Sequence, residues 1–231
     1  MKRYIILLII FFFTVATLTA QGSNVLLTRV REKLNLVNNY EANAMMKTNV
    51  SFLRVPQANV KVYFKKPDKI KIRNEKGISF VPKGAVTINL NSIIGGNDFT
   101  VIDAGSTVMN NKNVKILKLL PEDENSNVIL STIYVDEQNA VIVKAKTTTR
   151  DNGTYELNMR YGNYTKFGLP NDVVFIFNTK DYKMPKGVTF DYDDNSEQKN
   201  VADKNKDKQG RIEIIYSDYT INKGVSDEVF K

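Results

Sequence analysis

The stretch VKVYFKKPDKIKIR, residues 60–73, decides the fold class of this 231-residue chain. On both sides of its Lys-Pro-Asp turn every second residue is apolar, and most of the residues between them are lysine or arginine. This alternation is typical of two half-buried strands joined by a short turn. The charge leaves two interpretations open. The stretch is either a basic strand pair that grips an anionic polymer, or the apolar side of a sheet whose other side is charged.

The same two-residue period occurs through most of the chain. It runs without interruption over residues 40–52, which predicts an unusually long strand. Because the turns between the later segments are short, they predict a meandering antiparallel sheet; parallel pairs would need long crossovers. A twisted sheet of that size curls towards a barrel or folds into two packed sheets. The further predicted strands are 59–65, 69–74, 113–119, 127–135, 139–149, 153–161, 172–179, 187–192 and 210–221, with a weak one near 99–102.

One segment has helical periodicity. Residues 24–38 place apolar side chains at helical spacing with charged residues between them, which predicts an amphipathic helix with Ser23 or Asn24 as its N-cap. Residues 84–112 are irregular and rich in glycine, asparagine and serine. For this part we predict an insertion that is looped or briefly helical near residues 91–94.

The N-terminus has the three-part layout of a secretory signal. In MKRYIILLIIFFFTVATLTA two cations precede an apolar run, and small residues follow it. The run is short for a membrane span, which needs about 20 residues. We expect a signal peptide over residues 1–20, cleaved after about Ala20, and one domain over residues 21–231 in the periplasm. A cut after Ala16 and an uncleaved anchor are the alternatives.

Composition excludes several classes of function. The chain has no cysteine and no histidine, so the common catalytic triads and dyads, zinc sites and disulfides cannot be built. The absence of cysteine favours a bacterial periplasm over a glycosylating pathway, in which the sequons at Asn49, Asn152 and Asn163 would matter. In an exported protein the formal charge of +8 favours anionic surfaces over nucleic acid, so no nucleic-acid partner is expected.

Two acidic groups are candidates for chemical sites. The cluster at residues 191–194 runs into the highly charged segment 193–209, which predicts solvated turn residues instead of an acid/base pair. The alternating Asp and Asn at residues 203–207 resemble a calcium loop, but Lys208 and Ile214 stand where that loop has glycine and glutamate. We therefore expect no enzymatic activity, no metal site and no cofactor.

The apolar side of the predicted sheet holds the candidate binding residues. One helix and a short insertion cannot cover about ten curved strands, so part of that surface is either packed on itself or left for a ligand. A filled core is the simpler alternative for any single residue. The candidates to line a cavity are Met46, Val50, Phe52, Val62, Phe64, Ile70, Ile72, Leu157, Met159, Phe175 and Phe177.

The order of these elements resembles the periplasmic outer-membrane lipoprotein carrier (LolA-type) superfamily. The resemblance rests on VKVYFKKPDKIKIR at 60–73 and on the ending GRIEIIYSDYTINKGVSDEVF at 210–230. It implies a mainly β fold with few helices, in which a large curved antiparallel sheet forms an unclosed β-barrel of about eleven strands capped by helices. It also implies a monomeric carrier that shields lipoprotein acyl chains in an apolar cavity. The cargo would pass from an inner-membrane donor complex to an outer-membrane acceptor.

Two other functions stay open at this point. The chain could be a periplasmic lipid- or peptide-sensing regulatory protein of the same architecture, or a non-enzymatic module that binds anionic envelope components through its basic outer face. On that face of the hairpin only Tyr63 is aromatic, whereas a platform for single-stranded nucleic acid uses several stacking rings. The hairpin cations are therefore expected on the solvated side, where they discourage edge-to-edge aggregation.

Overall fold

The chain changes from helical to extended structure at the predicted place. The computed structural model describes residues 22–49, 57–67, 69–74, 94, 99–178 and 209–230. In it helix α1 spans residues 22–35, and strand β1, Asn39–Asn49, follows after a short turn. The apolar positions of α1 face the sheet, except Val25, which is 55% exposed, and its charged positions are exposed or half-buried.

Both ends of α1 differ from the prediction, and in each case a distant contact is the reason. The helix ends before residue 38 because the side chain of Asn222 accepts a hydrogen bond from the amide of Asn38 (2.7 Å) and donates one to the carbonyl of Leu36 (2.7 Å). Ser23 lies inside the helix and is not its N-cap. Its hydroxyl donates to Oδ2 of Asp103 at 2.9 Å, so it serves a tertiary contact.

The quoted stretch forms the predicted hairpin. Strand β2, Gln57–Lys65, pairs antiparallel with β3, Lys69–Asn74. Val62 lies opposite Ile72 and Phe64 opposite Ile70. These four side chains point to the side of the sheet that α1 covers, which we call the inner face, and the lysines and arginine between them point outward. The hairpin is therefore the apolar side of a sheet with a charged reverse side.

The remaining strands follow as a meander. The predicted strands between residues 113 and 178 and at 210–221 are confirmed within a few residues, whereas the one at 187–192 and the charged segment 193–208 fall outside the described ranges. These strands are β4 Phe99–Met109, β5 Lys112–Pro121, β6 Val128–Asp136, β7 Val141–Thr149, β8 Gly153–Arg160, β9 Asp172–Asn178 and β10 Gln209–Ile221.

Strand β4 is longer than predicted. The sequence predicted a weak strand near 99–102 inside an irregular insertion, but the strand continues for eleven residues to Met109. A bulge at Gly105, whose φ is +94°, shifts the register with β5 and breaks the apolar alternation on which the prediction depended. Asn110 and Asn111 have φ of 50° and 59° and form the tight turn into β5, a conformation that asparagine tolerates.

All ten strands of the described residues form one antiparallel sheet. Its order is β3-β2-β1-β10-β9-β8-β7-β6-β5-β4, so strands that follow one another in sequence are neighbours, except β3 and β4, which lie at opposite edges. The last strand lies between β1 and β9 in the middle of the sheet. The sheet is curved and unclosed, with β3 and β4 at its edges, which confirms the predicted fold class.

The core lies between the inner face and α1. The helix contributes Leu26, Leu27, Val30 and Leu34, all buried, and Ile94, which is helical and fully buried, packs into the same cluster. Each such side chain stabilises the fold by about 1.5–3 kcal/mol through the apolar surface it removes from water. Residues 91–93, part of the insertion that was predicted to be looped or briefly helical, are outside the described ranges.

Candidate functional site

The inner face is one continuous apolar surface. A single cluster of buried side chains includes members from nine strands, β1 to β3 and β5 to β10, together with α1. Phe99 and Val101 of β4 pack against its margin. The alternation of strand side chains produces this surface, because every second residue of each strand points to the same side. The arrangement offers a large apolar area over which one amphipathic helix is placed.

The structure brings the described cavity candidates together on this surface. Val50 and Phe52 lie outside the described ranges. Ile70 is partly buried and packs against the cluster. The other candidates are buried members of the cluster, namely Met46, Val62, Phe64, Ile72, Leu157, Met159, Phe175 and Phe177. The alternation thus identified residues of one face on five different strands.

Helix α1 is attached to its surroundings by cationic side chains that reach backbone carbonyls. Arg31 donates to the carbonyl of Ile94 at 2.9 Å, and Arg29 donates to that of Glu137 at 3.4 Å. Lys33 donates to the carbonyl of Asn139. Burial, followed by the nearby Arg29 charge, lowers the pKa of Lys33. The polar attachments of α1 to the sheet are thus made at the turn after β6 and, through Ser23, at Asp103 of β4, while the apolar side of α1 rests on the inner face.

An aromatic cluster fills the end of the inner face near the C-terminus of α1. Tyr40 stacks on Phe64 with ring centroids 5.3 Å apart, and Tyr219 packs edge-on against Tyr40 at 5.2 Å and stacks on Tyr216 at 4.9 Å. The Tyr219 hydroxyl donates to the carbonyl of Pro170 at 2.7 Å. Burial raises the pKa of Tyr40 and of Tyr219 well above the usual value, so these hydroxyls stay neutral and serve as hydrogen-bond groups.

A row of hydroxyl groups crosses the inner face nearer the opposite strand ends. Ser131 of β6 lies opposite Thr147 of β7, and Thr147 lies opposite Tyr155 of β8. The Ser131 and Thr147 hydroxyl oxygens are 2.9 Å apart. Burial raises the pKa of Tyr155 to about 12, partly offset by its hydrogen bond with Thr147. We call these three residues the hydroxyl row.

The hydroxyl row was not among the predicted site residues. Ser131 and Thr147 are polar, so they were not included in a list built from apolar side chains. Their spacing in the sequence was the available signal. Ser131 stands two residues before Ile133, and Thr147 two residues after Ala145, so each points to the same face of the sheet as that apolar residue. A polar residue at an inward position of an otherwise apolar strand is the informative exception.

The basic outer face of the hairpin is in contact with the C-terminal segment, residues 226–230. Asp227 accepts hydrogen bonds from Lys65 at 2.9 Å and from Lys69 at 2.8 Å. Arg73 donates to the carbonyl of Val229 at 2.9 Å. The hydrogen bonds from Lys69 and Lys65 lower the pKa of Asp227 to about 2. Three of the hairpin cations therefore already face acceptors within the chain.

A polar hollow of about 400 Å³ opens at the turn after β6. Its buried carboxylate, Asp136, accepts hydrogen bonds from Lys112 (3.0 Å) and from the backbone and side-chain amides of Asn139 (3.0 and 2.9 Å). Burial opposes ionisation of Asp136, but the hydrogen bonds from Asn139 and Lys112 outweigh it and lower the pKa. Asp136 is thus occupied in holding the turn together.

Within the ranges that the structure describes, no group of three or more His, Cys, Asp or Glu side chains is placed to hold a metal ion. The acidic cluster at 191–194 and the alternating residues at 203–207 belong to the part that is not described. A search of the described residues for helices that could cross a bilayer found none of sufficient length and apolarity.

Three solved structures share this fold at low sequence identity. A LolA superfamily protein from Nitrosomonas europaea superposes with a TM-score of 0.51 and 11% identity over 88% of this chain and 96% of that one. A DUF1329 family protein from Desulfovibrio piger gives 0.54 and 12% over 92% and 97%. A domain named for outer membrane lipoprotein sorting, from Vibrio parahaemolyticus, gives 0.53 and 11% over 92% and 97%. No protein-family model matches the chain, and none of the curated proteins is similar to it in sequence.

Proposed function

We propose that this chain, which has the LolA-type fold, is a periplasmic carrier that shields the acyl chains of lipoproteins from water. In this proposal residues 1–20 are a signal peptide cleaved after about Ala20, and residues 21–231 form a single lipid-binding domain. A donor complex in the inner membrane supplies the cargo, and an acceptor at the outer membrane receives it. The carrier acts as a monomer and has no catalytic role.

The proposal depends mainly on the extent of the inner face. The buried cluster reaches from Ile72 of edge strand β3 to Leu119 of β5, and among the described residues its cover is mainly α1, with Ile94 and Leu169 beside it. A protein that needed this surface only as its core could bury it with a second sheet or several helices. A single amphipathic cover over a curved apolar sheet instead suits a protein whose cover opens to admit a ligand.

The energetics of acyl transport require such a surface and little else. Each methylene removed from water contributes about 0.8 kcal/mol, so a 16-carbon chain represents on the order of 12 kcal/mol. Without shelter, a cargo with that preference stays in its membrane or aggregates. A carrier must supply comparable apolar contact during transit, and it must then release the chain without covalent chemistry.

The attachments of α1 are suited to release. Its apolar residues contact the inner face, while Arg29 and Lys33 bind carbonyls of the turn at Glu137 and Asn139. These side-chain bonds, and those of Ser23 to Asp103 and of Arg31 to the carbonyl of Ile94, can exchange with water as the helix moves, and no strand pairing has to break. We therefore assign α1 the role of the movable cover of the cavity.

The test is native mass spectrometry, with lipid extraction, of the mature chain purified from its own envelope. Phe64→Glu places a charge in the buried aromatic cluster of the inner face, and Tyr63→Glu places the same charge one residue away on the outer face. The proposal predicts co-purified acylated cargo with the wild type and with Tyr63→Glu, and its loss with Phe64→Glu. Met159→Gln, which keeps the side-chain volume, is the milder inner-face variant if Phe64→Glu does not fold.

Cargo that is absent from the wild type and from all variants would refute the carrier proposal. The same spectra report whether the chain is a monomer. A sensing protein of this architecture would also hold lipid, but it would not transfer it. Incubation of loaded protein with outer-membrane vesicles separates the two functions, because a carrier loses its cargo to the vesicles and a sensor retains it.

The alternative of an anion-binding module has less support from the described contacts. The hairpin cations that would bind anionic glycans or headgroups include Lys65 and Lys69, and both contact Asp227. An anionic ligand would have to displace that carboxylate. If the wild type binds anionic vesicles no more tightly than neutral vesicles, the anion-binding alternative is excluded.

A further inference from the structure

We propose that the outer face of the hairpin β2–β3 is a docking site for an acidic segment of a partner protein, and that the chain's own C-terminal segment, residues 226–230, occupies this site when the partner is absent. The inference goes beyond the carrier function, because it concerns the side of the sheet opposite the inner face. The partner segment carries a carboxylate and, within one turn, an aromatic ring.

The pairing of the hairpin strands places like charges opposite each other. Lys65 of β2 lies opposite Lys69 of β3, and four residues along each strand Lys61 lies opposite Arg73. Like charges in directly opposite positions destabilise a pair of strands. Glu41 of β1 meets the charge of Lys61 at 2.6 Å, whereas Lys65 and Lys69 are at the edge of the sheet, where no strand of the described residues follows β3. An anion between these two lysines relieves their repulsion.

The C-terminal segment supplies that anion. The carboxylate of Asp227 lies between the two lysines and accepts hydrogen bonds from Lys65 at 2.9 Å and from Lys69 at 2.8 Å. One carboxylate thus contacts both strands of the hairpin. The chain itself shows how an acidic segment is seated on this face.

Two further contacts favour a peptide over a lipid headgroup as the occupant. The backbone carbonyl of Val229 accepts a hydrogen bond from Arg73 at 2.9 Å. The ring of Phe230 lies 6.0 Å from the ammonium group of Lys69, within the range of a cation–π interaction. A phosphate headgroup can replace the carboxylate of Asp227, but it offers neither the peptide turn nor the ring. The site therefore fits a protein segment better than a membrane surface.

The C-terminal segment is held by contacts that a competitor can replace. The side chain of Asp227 is 57% exposed, and none of the residues Asp227–Phe230 is buried. Exposed ion pairs contribute little to stability. The chain just before the segment is held differently, since the backbone amides of Asn222 and Gly224 each donate to Asn39 at 2.9 Å. The segment can therefore leave the hairpin while β10 keeps its place in the sheet.

The covalent connection makes the C-terminal segment a competitor of any free acidic segment. Because it is tethered close to its site, its effective concentration there is high. A partner segment binds only to the fraction of molecules in which the site is open, so its apparent affinity is reduced by that fraction. Removing the Asp227 charge breaks two exposed ion pairs and should raise the apparent affinity about tenfold.

The experiment measures fluorescence anisotropy of a labelled peptide that copies residues 224–231, GVSDEVFK, with the mature chain. A second peptide has asparagine in place of the aspartate. We expect Asp227→Asn to bind GVSDEVFK about tenfold more tightly than the wild type does and to bind the asparagine peptide poorly. In the Asp227→Asn background, Lys69→Gln or Lys65→Gln should abolish the gain. Lys146→Gln is the matched control, because it removes the same charge from an exposed position on β7 and should leave the gain intact.

Equal affinity of the wild type and Asp227→Asn for GVSDEVFK would overturn the inference. Equal binding of the two peptides, or a loss with Lys146→Gln as large as that with Lys69→Gln, would also overturn it, because binding would then not depend on the hairpin site. If Asp227→Asn gains affinity for anionic vesicles and none for the peptide, the site belongs to lipid headgroups and the inference is wrong. The carrier proposal stands in each case, since its test concerns the inner face.

Discussion

Replacing Gly210 by alanine should destabilise the fold, although alanine is normally preferred to glycine inside a strand. Gly210 lies opposite Phe177 on the inner face. A Cβ atom at residue 210 would lie 2.4 Å from Cζ of Phe177 and 2.8 Å from each of its Cε atoms. Real Cβ atoms essentially never approach another heavy atom within 3.0 Å, so the ring or the backbone has to shift.

The ring has little freedom to make this shift. Phe177 is 2% exposed and stacks on Phe175 with centroids 5.0 Å apart. An extra methyl group in a well-packed core costs about 1–3 kcal/mol, whereas the smaller entropy loss of alanine returns about 0.5–1 kcal/mol. The expected net loss in free energy of unfolding is about 1–2 kcal/mol. For a domain of this size that corresponds to a melting temperature lower by roughly 2–8 °C.

The assay is urea unfolding of the mature chain as Gly210→Ala, as Phe177→Leu and as the double variant. Leucine lacks the ring atoms that the new Cβ would meet, so the Gly210→Ala cost should disappear in that background, giving a coupling energy of about 1 kcal/mol or more. Gly22→Ala is the control, since a Cβ there has no atom within 4 Å. A Gly210→Ala variant as stable as the wild type, or a loss of stability that is unchanged in the Phe177→Leu background, would contradict this expectation.

Three further outcomes are expected. The pKa of Asp227 is lowered from 3.8 to about 2, so the contribution of its ionised form to stability is present above pH 4 and is lost as the pH falls through 2. Asp227→Asn should therefore make stability less dependent on pH between about 4 and 2, as measured by acid unfolding followed by circular dichroism. Asp136→Ala leaves two partly buried donors of Asn139 unpaired and should lower the free energy of unfolding, measured in urea, by about 1 kcal/mol. Tyr219→Phe removes the hydrogen bond to Pro170 and should cost about 0.5–1.5 kcal/mol, while Tyr63→Phe on the outer face should change little.

The sequence predicted those features that depend on local backbone geometry. Val62, Phe64, Ile70 and Ile72 could be placed on one face because side chains alternate along any strand. The amphipathic helix could be predicted for the same kind of reason. Its end could not, because Asn222, far along the chain, supplies the bonds that stop it.

The missed features depend on long-range contacts or on breaks in the pattern. The bulge at Gly105 interrupts the alternation of β4, so most of that strand was assigned to an insertion. Nothing in the sequence around Asp227 indicates that it binds Lys65 and Lys69, because these lysines belong to a hairpin about 160 residues earlier in the chain. The hydroxyl row was missed because Ser131 was judged by its polarity and not by its inward position.

The central place of β10 has a consequence for the order of folding. Tyr40 pairs with Ile221 and Asn49 with Arg211, so β1 cannot complete its pairing until a strand roughly 160 to 180 residues later in the chain is available. Until then, strands β1 to β3 and β4 to β9 have no strand pairing with each other among the described residues. Contacts this distant in sequence are associated with slow folding. The nascent chain therefore exposes two incomplete sheets with unpaired edges, and it needs protection from aggregation until its final strand is available.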